Sequence, residues 1–194
     1  SLWPQPEVLM INEALEELRT AIAKSHAALK RELAKLRTGR AHPSLLESIR
    51  VDSYGTIMPI SQMATISAPE ARLLAVKVWD KSQVKAVEKA ISQSPLGLNP
   101  QSDGELIRVP LPILSEERRK ELCKLARRQG EETKVAVRKA RHDAKDFLAG
   151  LKNEKEAGED EVERALKKVE EIVQTATSEV DAIVANKEKE ILEV

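Results

Sequence analysis

Three long stretches of this chain return an apolar residue every third or fourth position, a spacing that favours helix strongly over strand. From Met10 to Leu36 the series is Ile11, Leu15, Leu18, Ile22, Leu29, Leu33 and Leu36, broken only at Ser25. Thr38-Gly39 ends this helix, with Gly39 as a left-handed cap, and His42-Pro43 bars its continuation. A second helix opens at Ser115, an N-cap followed by Glu116 and Glu117 where acids suit the helix dipole, and runs to about Lys152. Its apolar stripe reads Leu122, Leu125, Ala136, Ala140, Ala144, Phe147 and Leu151. Gly130 inside it costs about 1 kcal/mol against Ala. A third helix follows Gly158 and runs to about Leu192, with Val162, Leu166, Val169, Val173, Ala176, Val180 and Ile183 on one face. Each stripe is too narrow to be buried alone, so the three are expected to form an elongated antiparallel bundle.

The segment between the first two helices follows another rule. Leu74, Val76 and Val78 alternate with Ala75, Lys77 and Trp79, a strand pattern, and Ile49-Arg50-Val51-Asp52 alternates before a turn at Tyr54-Gly55-Thr56. Val84, Val87 and Ile91 mark one short helix, and Asp103-Gly104 signals a hairpin before Leu106-Ile107-Arg108-Val109. The expected architecture is therefore α+β: a three-helix bundle from residues 10–39 and 114–194, with a small α+β (β/α/β) domain inserted at 40–113. Two chain crossings, near Arg37–Arg40 and Pro110–Leu114, would form a hinge of Arg37, Thr38, Gly39, Arg40, Pro110, Leu111 and Pro112. Residues 1–9, with prolines at 4 and 6, read as a loose leader or an expression scar. They lack the basic start and apolar run of an export signal, and no apolar run reaches the length of a membrane span, so the cytoplasm is the expected location.

Charge is balanced overall, with 32 Lys and Arg against 32 Asp and Glu, but it is sorted along the chain. Residues 115–152 carry 12 basic and 7 acidic residues, and residues 153–194 carry 6 and 13. On a helical wheel Lys120, Lys124, Arg127, Lys134, Arg138, Arg141, Lys145 and Lys152 share an arc of about 100°, centred about 150° from the apolar stripe. Like charges at that spacing repel, so the ridge adds no stability until phosphates neutralise it. A rigid basic helix with few aromatic residues nearby suits the shape of structured RNA; the chain has only 2 Trp, 1 Tyr and 1 Phe, too few for base-stacking recognition. The other class compatible with the sorted charges is a helical protein–protein tether, in which the basic and acidic helices recruit partners.

Catalytic patterns are missing. There is no phosphate-binding glycine loop, dinucleotide fingerprint or His-Glu-x-x-His. Cys123 stands without a histidine within one helical turn, and His26, His42 and His142 have no acid at a suggestive local spacing. No enzyme activity, metal or cofactor is expected, and the chain is expected to act as a monomer.

Several motifs in order are similar to those of the bacterial and organellar ribosome recycling factor family. Leu36-Arg37-Thr38-Gly39-Arg40-Ala41-His42-Pro43-Ser44-Leu45-Leu46 resembles its hinge motif, and Tyr54-Gly55-Thr56 follows with Pro59 and Gln62. Glu88-Lys89-Ala90-Ile91, Leu96-Gly97-Leu98-Asn99-Pro100 and Ile107-Arg108-Val109-Pro110-Leu111-Pro112 resemble its central motifs. Glu116-Glu117-Arg118-Arg119-Lys120 and Val135-Ala136-Val137-Arg138-Lys139-Ala140-Arg141 match its second long helix. His142 departs from the Arg often found there, and Ser53 from a common aromatic. The resemblance implies an L-shaped protein that binds the post-termination ribosome, its bundle on large-subunit ribosomal RNA. Elongation factor G, through its own GTP hydrolysis, would then drive the subunits apart. It also implies that Arg37 and Arg40 sit at the hinge and that Arg119, Arg138 and Arg141 face RNA. The RNA-binding set expected from ridge and resemblance together is Arg37, Arg40, Arg119, Arg127, Lys134, Arg138, Arg141 and Lys145.

Overall fold

A proline at the first position of a helix gives up an N–H that would go unbonded anyway, and its ring already holds the helical φ. Pro6 uses that position. In the computed structural model, which describes residues 5–193, helix α1 spans Pro6–Ala34. The expected start at Met10 is therefore late, and residues 6–9 are helix, not a loose leader; residues 1–4 lie outside the described part. Helix α1 also stops before Leu36, with Lys35 as its cap. Gly39 is not a left-handed cap, since the glycines with positive φ are Gly55, Gly97 and Gly104. What position 39 requires is space. A Cβ there would lie 2.0 Å from the Glu193 carbonyl oxygen, and the Gly39 N–H donates to the Glu190 carbonyl at 3.3 Å.

The middle of the chain forms strands β1 (Arg50–Ser53), β2 (Thr56–Pro59), β3 (Ala64–Glu70) and β4 (Leu73–Val78), helix α2 (Val84–Ser92), and strands β5 (Gln101–Asp103) and β6 (Leu106–Pro110). Strands β1 and β2 pair through a two-residue turn in which Tyr54 and Gly55 both have positive φ, 52° and 84°. That is the turn whose twist matches a hairpin, and the Gly55 N–H is held by the Asp52 carboxylate at 2.9 Å. The other four strands form an antiparallel sheet in the order β3-β4-β6-β5. The expected alternation puts Leu74, Val76 and Val78 of β4 and Ile107 and Val109 of β6 into a core with no exposed surface, closed by Val87 and Ile91 of α2. Strand β3 was not expected from its sequence, which contains Pro69. It lies at the sheet edge and its pairing slips between Ser67 and Glu70, and both features tolerate a proline.

Two helices complete the chain, α3 (Glu116–Asn153) and α4 (Glu159–Leu192). Ser115 caps α3 as expected, its hydroxyl accepting the Arg118 N–H at 3.1 Å. The molecule divides into two compact units. Among the described residues, one holds residues 5–37 and Lys120–Lys189; the other holds Thr38–Arg119 and residues 190–193. This differs from the expected division. Leu111 is a buried member of the small unit's core, and its N–H donates to Arg72 at 2.8 Å, so Pro110 and Leu111 belong to that unit's sheet and not to a crossing. The last turn of α4 also joins the small unit, where the Glu193 carboxylate pairs with Arg40 at 3.0 Å.

In the larger unit α1, α3 and α4 share one core. Leu18, Val137, Leu148, Val162 and Val169 are among its members, and Leu29, Ala126 and Val180 continue it. Gly130 is buried, and a Cβ on it would meet the Val184 side chain at 2.6 Å. The helix cost of that glycine is thus offset by a close approach of α3 to α4.

Candidate nucleic-acid interface

Which cations of α3 can meet a ligand depends on how the helix is rotated about its axis. The buried positions are Leu122, Cys123, Ala126, Gly130, Thr133, Val137, Ala144, Leu148 and Leu151. Ala136 and Phe147, expected inside, are exposed. The packed face is therefore turned from the expected stripe, and its centre lies about 90° from the basic ridge, not about 150°. The ridge stands on a flank beside α4. Its inner members reach that helix; among the described residues Arg138 and Lys124 do not.

The inner members meet a register of carboxylates. Glu159, Glu170, Asp181 and Glu188 follow one another at intervals of 11, 11 and 7 residues, steps that return to the same side of a helix within about 20°. Because α3 runs antiparallel to α4, each acid finds a ridge cation. Lys152 Nζ lies 3.3 Å from Glu159. Arg141 grips Glu170 with Nε at 3.0 and 3.2 Å and Nη2 at 2.9 Å, and Lys145 approaches the same carboxylate at 3.6 Å. Lys134 Nζ lies 2.6 Å from Asp181 and 3.5 Å from Glu131. Arg127 pairs with Glu188. The hydrogen bond from Arg141 holds the Glu170 carboxyl below its ordinary range, and the hydrogen bond to Asp181 holds the Lys134 ammonium above its own. A ridge centred about 150° from the packed stripe would face away from α4; instead, five of the ridge's eight cations pair with that helix.

Arg138 and Lys124 differ. Both are exposed, and neither enters an ion pair or side-chain hydrogen bond among the described residues. Lys120 is exposed on the same outer edge. Arg141 keeps 37% of its side-chain surface open despite its pair, against 19% for Lys134.

The remaining expected residues scatter. Arg37 is half-buried, and burial lowers the pKa of its guanidinium. Arg40 is exposed and tied to Glu193. Arg119 is half-buried, with its Nε enclosed and without a hydrogen-bond partner. Thr38 accepts the Arg40 N–H at 3.3 Å.

Residue spacing does not reveal the partners of one polar side chain. His26 is buried, with Nε2 3.1 Å from the Ala176 carbonyl and Nδ1 3.5 Å from the Glu179 carboxylate, a link between α1 and α4. The lone signal was a histidine at the position where the apolar series of α1 breaks at Ser25. The expectation that His142 has no acid at a local spacing is corrected: it pairs with Asp146 one helical turn on, at 3.1 Å. Burial pushes the Cys123 thiol up, reinforced by Glu188 and opposed by Arg127, which disfavours the reactive thiolate. Among the described residues no helix is long and apolar enough to cross a membrane.

A family model described as ribosome recycling factor matches residues 29–192. A ribosome-recycling factor of Sorangium cellulosum is 52% identical over 185 residues, 95% of this chain and 100% of that protein. One from Rhodopseudomonas palustris is 51% identical over 180 residues, 93% of this chain and 96% of that protein. Among solved structures, a solution structure of the ribosome recycling factor aligns with a TM-score of 0.67 and 38% identity, over 99% of this chain and 100% of that one. Another aligns with a TM-score of 0.61 and 42% identity, over 94% of this chain and 99% of that one. It comes from models of the Thermus thermophilus factor and Escherichia coli elongation factor G bound to the E. coli post-termination complex.

Proposed function

The chain belongs to the ribosome recycling factor family, and from that premise we propose that it binds the post-termination ribosome through the outer edge of α3. That edge lies on large-subunit ribosomal RNA. With elongation factor G, and with GTP hydrolysis by that partner, the chain separates the subunits for a new round of translation. It acts in the cytoplasm as a monomer and performs no bond chemistry itself.

The observation that carries this reading is the exposed, unpaired Arg138 beside a half-open Arg141 on a helix about 57 Å long at 1.5 Å per residue. Guanidinium groups fixed on a rigid helix can meet phosphates without reading bases. Arg37 and Arg40 flank the boundary between the units and are proposed, with Thr38 and Gly39, as the point that yields when the partner pushes. The tether reading loses ground, because four of the acids of α4, Glu159, Glu170, Asp181 and Glu188, are already engaged by the cations of α3.

Light scattering of post-termination ribosomes tests the proposal. Splitting should need this chain, elongation factor G and GTP together, and stop with a non-hydrolysable GTP analogue. Ribosomes that stay whole with all three present would contradict it.

A further inference from the structure

Exposed ion pairs contribute little to stability, so the regular register along the α3–α4 flank calls for another explanation. Each carboxylate of that register sits where a phosphate would sit if α3 met nucleic acid alone. Glu170 accepts from Arg141 at 2.9–3.2 Å through two nitrogens, the geometry a guanidinium also offers a phosphate. Asp181 holds Lys134 at 2.6 Å, and Glu188 holds Arg127. The cations they leave open, Arg138 and Lys124, lie on the far side of the ridge from α4.

We infer that Glu170, Asp181 and Glu188 are specificity-determining residues that act as built-in phosphate substitutes, masking the inner cations of the RNA-binding edge. The inference rests on the reading of α3 as the ribosome-binding edge. An arbitrary RNA meets the open charges of the outer edge and must displace a carboxylate for every contact with Arg127, Lys134 or Arg141. Ribosomal RNA shaped to follow the whole edge makes enough contacts at once to exchange Glu170 for phosphate on Arg141, and so on along the flank. The mask suppresses binding to the wrong RNA more than binding to the right one. It also gives the opposed charge of the two helices a use: a strongly basic helix is kept from coating every nucleic acid it meets.

The test compares the native chain with the triple variant Glu170→Gln, Asp181→Asn, Glu188→Gln. A control, Glu13→Gln, Asp160→Asn, Glu171→Gln, removes the same charge from exposed positions that pair with no ridge cation. Affinity is measured for a short blunt RNA duplex and for ribosomes, and thermal melts establish folding. The triple variant should bind the duplex roughly tenfold more tightly than the native chain, with a steeper salt dependence, while its ribosome affinity rises much less. The control should gain clearly less for the duplex. Equal gains in both variants, or an unchanged duplex affinity in a folded triple variant, would overturn the mask. If the triple variant melts early, Glu170→Gln alone carries the same comparison with a smaller gain. Failure of the native chain to bind ribosomes would overturn the ribosome-binding reading itself, and the native arm shows that separately.

Discussion

The two rows of cations on α3 differ in what completes them. The inner row, Arg127, Lys134, Arg141, Lys145 and Lys152, is closed by carboxylates of α4. The outer positions, Arg138 and Lys124, face solvent. The same residue type at neighbouring helical positions thus serves two ends. Inner cations already share their charge with a partner, so removing one is felt in both folding and binding. An outer cation has nothing to lose in the free protein, so its removal is felt in binding alone.

That difference can be broken by mutation. The largest effect belongs to Arg138→Ala, which should weaken ribosome binding by about 1–3 kcal/mol if its guanidinium pairs with phosphate in a desolvated contact, with an unchanged melting curve. Lys145→Ala should cost well under 1 kcal/mol of binding, since its ammonium is shared with Glu170 at 3.6 Å; a loss equal to that of Arg138→Ala would erase the distinction between the rows. Lys134→Met should lower bundle stability by under about 1 kcal/mol in a thermal or urea melt, because it strands Asp181 without its partner, whereas Arg138→Ala should not.

The smallest effect is on pH dependence. Glu170 is held by Arg141 below the ordinary carboxyl value of 4.5. A depressed folded value means that the pair stabilises the bundle above that ordinary value and that the contribution is lost as pH falls through the folded one. Glu170→Gln should therefore flatten the acid side of the stability curve, read from urea midpoints below pH 4.5. Lys134, raised by Asp181, contributes below the ordinary lysine value of 10.5 and loses that contribution as pH rises through the raised one.

Much of this architecture could be read from residue spacing, and the failures have physical causes. The stripe of α4 was legible because Val162, Val169 and Val180 are large and evenly placed, and all three are fully buried. The rotation of α3 was not. Its face toward the core is built from Cys123, Ala126, Gly130, Thr133 and Ala144 beside a few larger residues, and small residues mark no side of a helix. What fixes the rotation is fit, as at Gly130 against Val184. The ridge itself was visible as an arc, but its partners on α4 become meaningful only when the two helices lie antiparallel in contact. In the small unit, alternation in β4 and β6 was plain, while Pro69 hid the edge strand β3. The joining of Glu190–Glu193 to the Thr38–Arg40 segment had no local signal at all, since it brings together residues far apart in the chain.

The account stands on phosphate contact by the outer edge of α3, and ribosome affinity measured across a series of potassium chloride concentrations tests it most directly. The native chain should bind less tightly as salt rises, and Arg138→Ala with Arg141→Ala should lower both the affinity and the slope, by roughly one for each lost contact. Equal affinity and equal slope for the native chain and the folded double variant would contradict it.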